Sequence, residues 1–376
     1  MPSNKPTDEG LSESQQQLLA SDIIGDALDL TTAVPHPTAV LLGGQPGAGK
    51  SAVKGQVVAR FADNGGIVAV DPDEIRLALP YMDAYLAKGG SAIPDYANKD
   101  AGTVAYMVLQ GVAAAQRNVL NDGTLRNTEL AKNMALDLTS AGFNVEFHGM
   151  AVYPDLSHAR TYLRREEEIR RSPTGFGRAV DDGFHHAAVE GYTSTVKAFY
   201  ADKRVARMVL YDRAGAVATD VKLEAGEWRV SGLDAVPAEK HPMNVLHKAH
   251  TQPDAATLYE AAVTWSEATQ LASTRTPMAP DVDKLAQHQA EAEAKARLAV
   301  TSPVPSKSYR GKIVAIEDTE VLQAVGGAII SHRKAGLIGP HKASLLDVGA
   351  DVKITYGTHL DQALIQPGSR THSHRR

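Results

Sequence analysis

One octapeptide restricts the folds open to this chain more than any other stretch. It is Gly44-Gln45-Pro46-Gly47-Ala48-Gly49-Lys50-Ser51, directly after the apolar run Thr38-Ala39-Val40-Leu41-Leu42. It fits Gly-x-x-x-x-Gly-Lys-[Ser/Thr], and a helical pattern follows. A buried strand, a glycine loop and a helix start are the context in which this spacing makes a phosphate cradle. The glycines let backbone N–H groups turn inward without Cβ clashes, and those groups suit an anion together with the helix N-terminus. Residues Gly44, Gln45, Pro46, Gly47, Ala48, Gly49, Lys50 and Ser51 are therefore the candidate ATP-binding set. Lys50 would reach the β/γ phosphates and Ser51 would hold Mg²⁺. The alternative is a glycine-rich turn with a chance lysine, and the agreement of spacing and flanks argues against it.

Composition narrows the class. A length of 376 residues suggests two or three domains, and 43% hydrophobic with 22% charged residues is ordinary for a globular chain with a full core. The formal net charge of −5 provides no global field toward nucleic acid or membrane. The absence of cysteine excludes disulfides and thiolate metal sites without fixing a compartment. No apolar run approaches the ~18 residues of a membrane span. Met1-Pro2-Ser3-Asn4-Lys5 leads into polar residues, with no signal-peptide pattern. Together with ATP chemistry this favours the cytoplasm.

Taken in order, residues 11–29 read as a helix with Ser12 as N-cap and Leu18, Leu19, Ile23, Ile24, Ala27 and Leu28 as its apolar stripe. Residues 50–62 form the helix after the glycine loop. Ile67-Val68-Ala69-Val70 is a short apolar strand of the parallel-sheet type. It ends in Asp71-Pro72-Asp73-Glu74, where open α/β sheets bind ligands. Asp71 or Asp73 could cap the next helix, accept a proton from an attacking hydroxyl, or help hold the metal. Residues 74–116 read as helix interrupted at Pro80, Gly89-Gly90 and Pro94, with a loop over residues 89–98 as a lid or substrate rim. A second strand end carries Asp122-Gly123-Thr124-Leu125-Arg126, an acid, a hydroxyl and an arginine together. Strands follow at 143–152 and at 206–211, the latter read as the last of this domain.

The helix over residues 155–171 is dense in arginine, with Arg160, Arg164, Arg165, Arg170 and Arg171 interleaved with Glu166, Glu167 and Glu168. A solvated charged face is the bland reading; a positioned arginine would instead stabilise a transferring phosphoryl group. Arg178 is read as starting a further helix. His185-His186 lacks metal-ligand spacing and reads as a helix surface or a hydrogen bond near the pocket. Residues 217–230 suggest a hairpin. An Ala/Glu/Lys helix near 281–300 looks like an exposed spacer. The stretch 301–306 reads as a linker, Asp318 as the cap of a helix running to about Arg333, and 351–356 as a strand. The fold class expected is α/β, a P-loop kinase-like parallel sheet flanked by helices, plus a helical segment and a small C-terminal α+β module. The boundaries are 1–215, 216–304, 305–362, and a basic tail at 363–376.

In the block from about Ser12 to Arg213 the chain resembles the zeta toxins of bacterial toxin–antitoxin systems. The resemblance is carried, in order, by Leu42-Gly43 with the octapeptide, Val70-Asp71-Pro72-Asp73, Asp122 to Arg126, Met150-Ala151-Val152, Arg164 with Glu166, and Arg178 with His185. It implies a kinase that uses ATP to phosphorylate the 3′-hydroxyl of UDP-N-acetylglucosamine, giving a dead-end inhibitor of peptidoglycan synthesis. It further implies Lys50 on the phosphates, Ser51 on Mg²⁺ and Asp73 as the base. Asp122, Thr124 and Arg126 become substrate contacts, and Tyr96 falls in the segment that would touch the sugar or uracil. Asp122 stands where many relatives carry glutamate. Arg164 and Arg178 match the pair that stabilises the transferring phosphate. A cognate antitoxin protein is the implied partner, and some zeta-like proteins phosphorylate other nucleotides.

Two further features stand outside that block. Tyr309-Arg310-Gly311-Lys312-Ile313-Val314, Val321-Leu322-Gln323 and Asp351-Val352-Lys353-Ile354 resemble the KfrB-type domain of conjugative-plasmid proteins. That implies a mobile-element setting and a binding role, with nucleic acid reached only through this module. The competing functional class is a plasmid-maintenance protein in which ATP is a switch, or a kinase acting on another nucleotide such as NAD. The Asp122 to Arg126 strand end separates these readings, because a switch does not need it.

Overall fold

Four successive side chains, Ala39, Val40, Leu41 and Leu42, are completely buried. A strand apolar on both faces must lie inside a sheet covered on both sides. In the computed structural model, which describes residues 10–87, 95–173, 175–275, 279–340 and 342–368, this is β1 (Thr38–Gly43), the central strand of the first of two compact units, Met1–Gln252 and Pro253–Arg376.

In the first unit β1 is followed by α2 (Lys50–Arg60), β2 (Val68–Val70), α3 (Pro72–Leu77), α4 (Met82–Ala87), α5 (Asp95–Ala114), β3 (Val119–Asp122), α6 (Thr128–Ser140), β4 (Asn144–Met150), α7 (Pro154–Arg171), α8 (Asp182–Asp202) and β5 (Arg207–Tyr211). The helix α1 (Glu13–Asp29) precedes them. Its Ser12 cap is a full capping box with Gln15. Its Leu19, Ile23, Ile24 and Ala27 pack into the core. Buried Asp100 ties the N-terminal segment to the rest, accepting from Leu11 N–H at 2.8 Å, Gln16 at 2.8 Å and Tyr81 at 2.7 Å.

The sheet order is β2-β3-β1-β4-β5, all parallel, continued by β6 (Val217–Glu224) and β7 (Glu227–Arg229) antiparallel at the far edge. The register sets Leu42 beside Asp122 and Val70 beside Asn121. The carboxyl ends of β1, β2 and β3, with the loops that follow them, are thus level at one rim. Beyond β7, α9 (Pro242–Thr251) closes the unit and buries Leu246.

Several expectations change. Residues 206–211 are not the last strand: the 217–230 hairpin adds to the β5 edge. Its Ala225-Gly226 turn has both φ values positive, at 50° and 80°, which matches the twist of paired strands. Of the loop expected at 89–98, residues 95–98 are the start of α5, while 89–94 lie outside the described residues. The helix expected at Arg178 begins only at Asp182, because Asp181 caps it by accepting from Phe184 N–H at 3.1 Å. No helix among the described residues is long and apolar enough to cross a membrane.

The second unit opens with α10 (Ala255–Ser273) and α11 (Val282–Leu298). Its sheet holds β8 (Val300–Thr301), β9 (Ser308–Ile316), β10 (Glu320–Val325), β11 (Ala328–Arg333), β12 (Leu337–Ile338), β13 (Asp351–Tyr356) and β14 (Ala363–Pro367), in the order β12-β14-β13-β9-β10-β11-β8. The expected spacer α11 is instead packed on α10, burying Leu285, Ala292 and Ala296, and its His288 stacks at 4.6 Å on fully buried Trp265. The expected helix from Asp318 to Arg333 is the hairpin β10–β11, turned at Gly326-Gly327. Buried Gln323 and His332 satisfy one another at 3.0 Å, and His332 reaches the Tyr356 hydroxyl at 3.0 Å. Of the tail expected at 363–376, residues 363–367 are instead β14, paired antiparallel with β13, and those beyond 368 lie outside the described residues.

Candidate active site

The glycine loop leaves β1 through left-handed backbone that only glycine adopts freely, with φ of 76° at Gly47 and 91° at Gly49. A Cβ on Gly47 would stand 1.9 Å from the Ser157 carbonyl oxygen, so the loop lies directly on α7. Buried Gln45 donates to the Val152 carbonyl at 2.9 Å and fastens the loop to the chain after β4. His185 of α8 meets Ser157 Oγ at 3.1 Å, hydrogen-bonds the Pro46 backbone and stacks on His158 at 4.6 Å. Burial, with His158 beside it, pushes His185 down to about 4. Of the two expected roles, His185 therefore has the hydrogen bond near the pocket, while His186 is exposed and pairs with Glu190 at 3.2 Å.

Lys50 begins α2 and folds back so that its Nζ donates to the Gly44 carbonyl at 3.1 Å. Burial lowers its pKa, opposed by Asp122, Asp73 and Asp71, while Arg164 adds to the lowering. Ser51, beside it, is exposed.

The two acids after β2 have different situations. Asp71 is the cap of α3, accepting from the Asp73 N–H at 2.9 Å, and its other oxygen is 3.3 Å from Lys54 Nζ. Asp73 keeps its side chain 52% exposed and meets Arg76 at 3.0 Å. Arg76 in turn donates to Asn98 at 2.9 Å, joining α3 to α5. Asp122 is 7% exposed at the end of β3. Burial raises its carboxyl to about 6 against the pull of Lys50, with Asp71 and Asp73 adding to the rise.

Across the loop stand the arginines. Arg178 N–H and Nε donate to the two oxygens of Glu168 at 2.8 and 2.9 Å. The hydrogen bond to Glu168, opposed by burial, raises the pKa of the Arg178 guanidinium. Arg164, one turn before Glu168, lies 3.9 Å from the same carboxylate, with a buried Nε that has no hydrogen-bond partner among the described residues. Burial and Arg178 lower its pKa, while Glu168 and Asp73 support its charge. Lys50, Asp73, Asp122, Arg164 and Arg178 thus share one electrostatic field at the sheet rim.

The remaining expected residues sit at its margin. Thr124 is half-buried in the turn after β3. That turn is pinned to α8 by Thr195, which donates to the Leu125 carbonyl at 2.8 Å. The Arg126 guanidinium lies over the Phe184 ring at 4.4 Å. Tyr96, in the first turn of α5, packs edge-on against Tyr81 at 5.4 Å. The sequence reading missed Glu168 as the group that aims Arg178, and His185 with Ser157 as supports of the loop.

A five-stranded parallel sheet with helices on both sides, a glycine cradle leaving its central strand, and lysine, arginines and acids converging on that cradle define a phosphate-loop protein with a kinase-like fold. The sequence model of the zeta toxin family matches residues 22–223, more than half of the chain, and the chain belongs to that family. A KfrB domain model matches residues 308–363. The chain is similar to the toxin PezT of Streptococcus pneumoniae serotype 4 (strain ATCC BAA-334 / TIGR4), at 32% identity over 132 residues. That match covers 35% of this chain and spans about half (51%) of PezT. It is also similar to toxin zeta of Enterococcus hirae, at 23% identity over 195 residues, 52% of this chain and 67% of that relative. Among solved structures, the PezAT chromosomal toxin–antitoxin system of Streptococcus pneumoniae superimposes with a TM-score of 0.57 at 21% identity. The match covers 70% of this chain and 98% of that chain, a likeness of fold.

Proposed function

We propose that the first unit is an ATP-dependent kinase of the zeta type, acting as a toxin on a small molecule with an alcohol group. The observation that carries the reading is the common field of Lys50, Asp73, Asp122, Arg164 and Arg178 beside the glycine cradle. Phosphoryl transfer asks a protein for positioning and charge neutralisation more than for covalent chemistry. ATP lies with its phosphates on residues 44–51 and Lys50. The residues fit magnesium as well: Ser51 is exposed at the helix start, and no group of three acids or histidines among the described residues forms a protein cage for a metal. Ser51 and the nucleotide's own oxygens would hold Mg²⁺, which would neutralise phosphate charge. The acceptor hydroxyl attacks the γ-phosphorus, its proton passes to the Asp73 carboxylate, and the bond to the β–γ bridging oxygen breaks to leave ADP. Arg164 and Arg178 meet the charge on the moving group. Asp73 is suited to the proton because Asp71 is committed to the helix cap.

The acceptor is UDP-N-acetylglucosamine at its 3′-hydroxyl, held against Asp122, Thr124 and Arg126 with Tyr96 on the α5 side. The product blocks peptidoglycan synthesis, the site is cytoplasmic, and a cognate antitoxin protein restrains it. Family membership and the order of matched residues support this reading. The test is a mass-spectrometric screen of ATP-dependent phosphorylation over UDP-N-acetylglucosamine, NAD and free nucleosides, with Lys50→Ala as the blank. A Lys50-dependent mass gain of one phosphate on UDP-N-acetylglucosamine is expected. Such a gain on NAD alone would reassign the acceptor, and no gain on any compound would remove the kinase reading.

A further inference from the structure

The face that α7 turns to the glycine loop carries a residue to which neither the family resemblance nor the proposed chemistry gives a role. Ser157 and Thr161 lie on that face, since a Cβ on Gly47 would meet the Ser157 carbonyl oxygen at 1.9 Å and the Thr161 methyl at 3.0 Å. Arg160 and Arg164 continue the same stripe by helical spacing. The two arginines differ in what they face. Arg164 feels Lys50 and Asp73, the groups assigned to the moving phosphate. Arg160 holds one guanidinium nitrogen 3.8 Å from the position that a Cβ on Gly49 would occupy. Gly49 is the cap of α2, and its left-handed backbone, φ 91°, leads into the first free N–H groups of that helix. An anion bound to those groups would lie on the side of the cradle where the Arg160 guanidinium stands. Arg165, the neighbouring arginine, is directed instead toward Glu166, at 3.9 Å.

We propose that Arg160 is a nucleotide-binding residue that grips the phosphate retained in ADP, from the α7 side of the cradle. The proposal rests on the kinase reading and deepens it. Arg164 and Arg178 serve the group in flight, whereas Arg160 serves the diphosphate that stays behind. Arg160 therefore governs affinity for both ATP and ADP, leaves AMP affinity alone, and contributes little to the chemical step.

The experiment is titration calorimetry of the full chain with ADP, ATP and AMP in the presence of Mg²⁺, for wild type, Arg160→Ala, Arg160→Gln and Lys50→Ala. The expected result is that Arg160→Ala weakens ADP and ATP alike by about tenfold, as loss of one charge-assisted contact should. AMP is unchanged, the KM for ATP rises in parallel, and kcat stays within about threefold. Equal ADP affinity in wild type and Arg160→Ala overturns the proposal while leaving the kinase reading intact. Wild type that binds ADP no better than Lys50→Ala overturns both. If Arg160→Ala melts early, the same ADP comparison is made with Arg160→Gln, which keeps the start of the methylene stem and a polar amide but neither the reach nor the charge. A uniform loss on ADP, ATP and AMP assigns Arg160 to holding the loop in shape and also overturns direct phosphate contact.

Discussion

Arg178 is held at both ends of one carboxylate: its backbone N–H donates to one oxygen of Glu168 at 2.8 Å and its Nε to the other at 2.9 Å. The arginine follows α7 on an irregular segment, residues 175–181, that has no regular ladder to fix it. Glu168, on the helix, supplies the missing reference point. Burial works against the ionised Glu168, but its bonds to Arg178 outweigh that and lower its pKa. Glu168→Gln should therefore act through the aim of Arg178. Misplacing a catalytic group by an ångström costs about 10²-fold in rate, and that drop in kcat is expected. Both side chains are more than a quarter exposed, so the stability change should be under about 1 kcal/mol. Steady-state turnover and a urea titration on the same preparation check both halves; unchanged kcat would detach Glu168 from the site.

Asp71 and Asp73 give a second pair of opposed expectations. Asp71→Ala removes the cap of α3 and one partner of Lys54. Loss of a cap costs about 1 kcal/mol, with turnover reduced less than tenfold. Asp73→Asn leaves the cap intact and removes the proton acceptor, which should lower kcat by about 10³-fold while ADP binding persists. Wild-type turnover in Asp73→Asn would move the base elsewhere on the rim.

How far the sequence carried follows from where each signal resides. The glycine loop, β1, β2 and the acids at two strand ends were legible because spacing and apolar runs are local properties. The arginines were not. Arg160, Arg164, Arg165, Arg170 and Arg171 lie on one helix and are chemically alike, and what separates Arg160 and Arg164 from the others is the face that α7 presents to the loop. That face is set by Ser157 against Gly47, a contact between distant parts of the chain. Arg164 and Arg178 came from family resemblance for this reason. The hairpin β10–β11 reads as a helix capped by Asp318 only when Gly326-Gly327 between two apolar runs, a hairpin signal, is given too little weight. The α11 error has another cause: alanine suits an exposed helix and a close-packed one equally, and only Trp265 on the partner helix decides between them.

Gly47 tests the seating of the loop. Gly47→Ala must force a side chain into the Ser157 carbonyl at 1.9 Å and hold it at φ 76°. The backbone strain alone is about 1–3 kcal/mol, and the clash requires the loop or α7 to move as well. Gly226→Ala is the matched control, with φ 80° and nothing within 4 Å of the added methyl. It should cost only the strain. The expected outcome is a larger loss of stability for Gly47→Ala than for Gly226→Ala in parallel denaturation curves. ADP binding should be lost in the first and retained in the second. Equal stability losses with ADP binding intact would show that the loop does not rest on α7 in this way.

Two buried carboxylates should tilt stability in opposite directions with pH. Asp122 is raised by burial from 3.8 to about 6. Its folded form therefore holds a proton that the unfolded chain has released, so stability is lost as pH climbs from about 4 through 6 and stays lost above. Glu146, on β4 beside His148 at 3.0 Å and Arg60 at 2.8 Å, is the reverse. Burial opposes its charge, but the bonds from His148 and Arg60 win and lower it from 4.5 to about 2. It contributes stability above pH 4.5 that disappears as pH falls toward 2. At 1.36 kcal/mol per pKa unit each effect is about 3 kcal/mol at most. Asp122→Asn should thus gain stability over wild type at pH 7.5 and match it at pH 4, whereas Glu146→Gln should lose stability at pH 7.5. Turnover supplies the second readout. If the ionised Asp122 serves the site, kcat/KM in wild type rises with a midpoint near 6, and Asp122→Asn lacks that limb. Urea titrations at the two pH values and a pH–rate profile decide the matter. An Asp122→Asn protein no more stable than wild type at pH 7.5 would contradict the buried setting, beside Asp71 and Asp73, assigned to this acid.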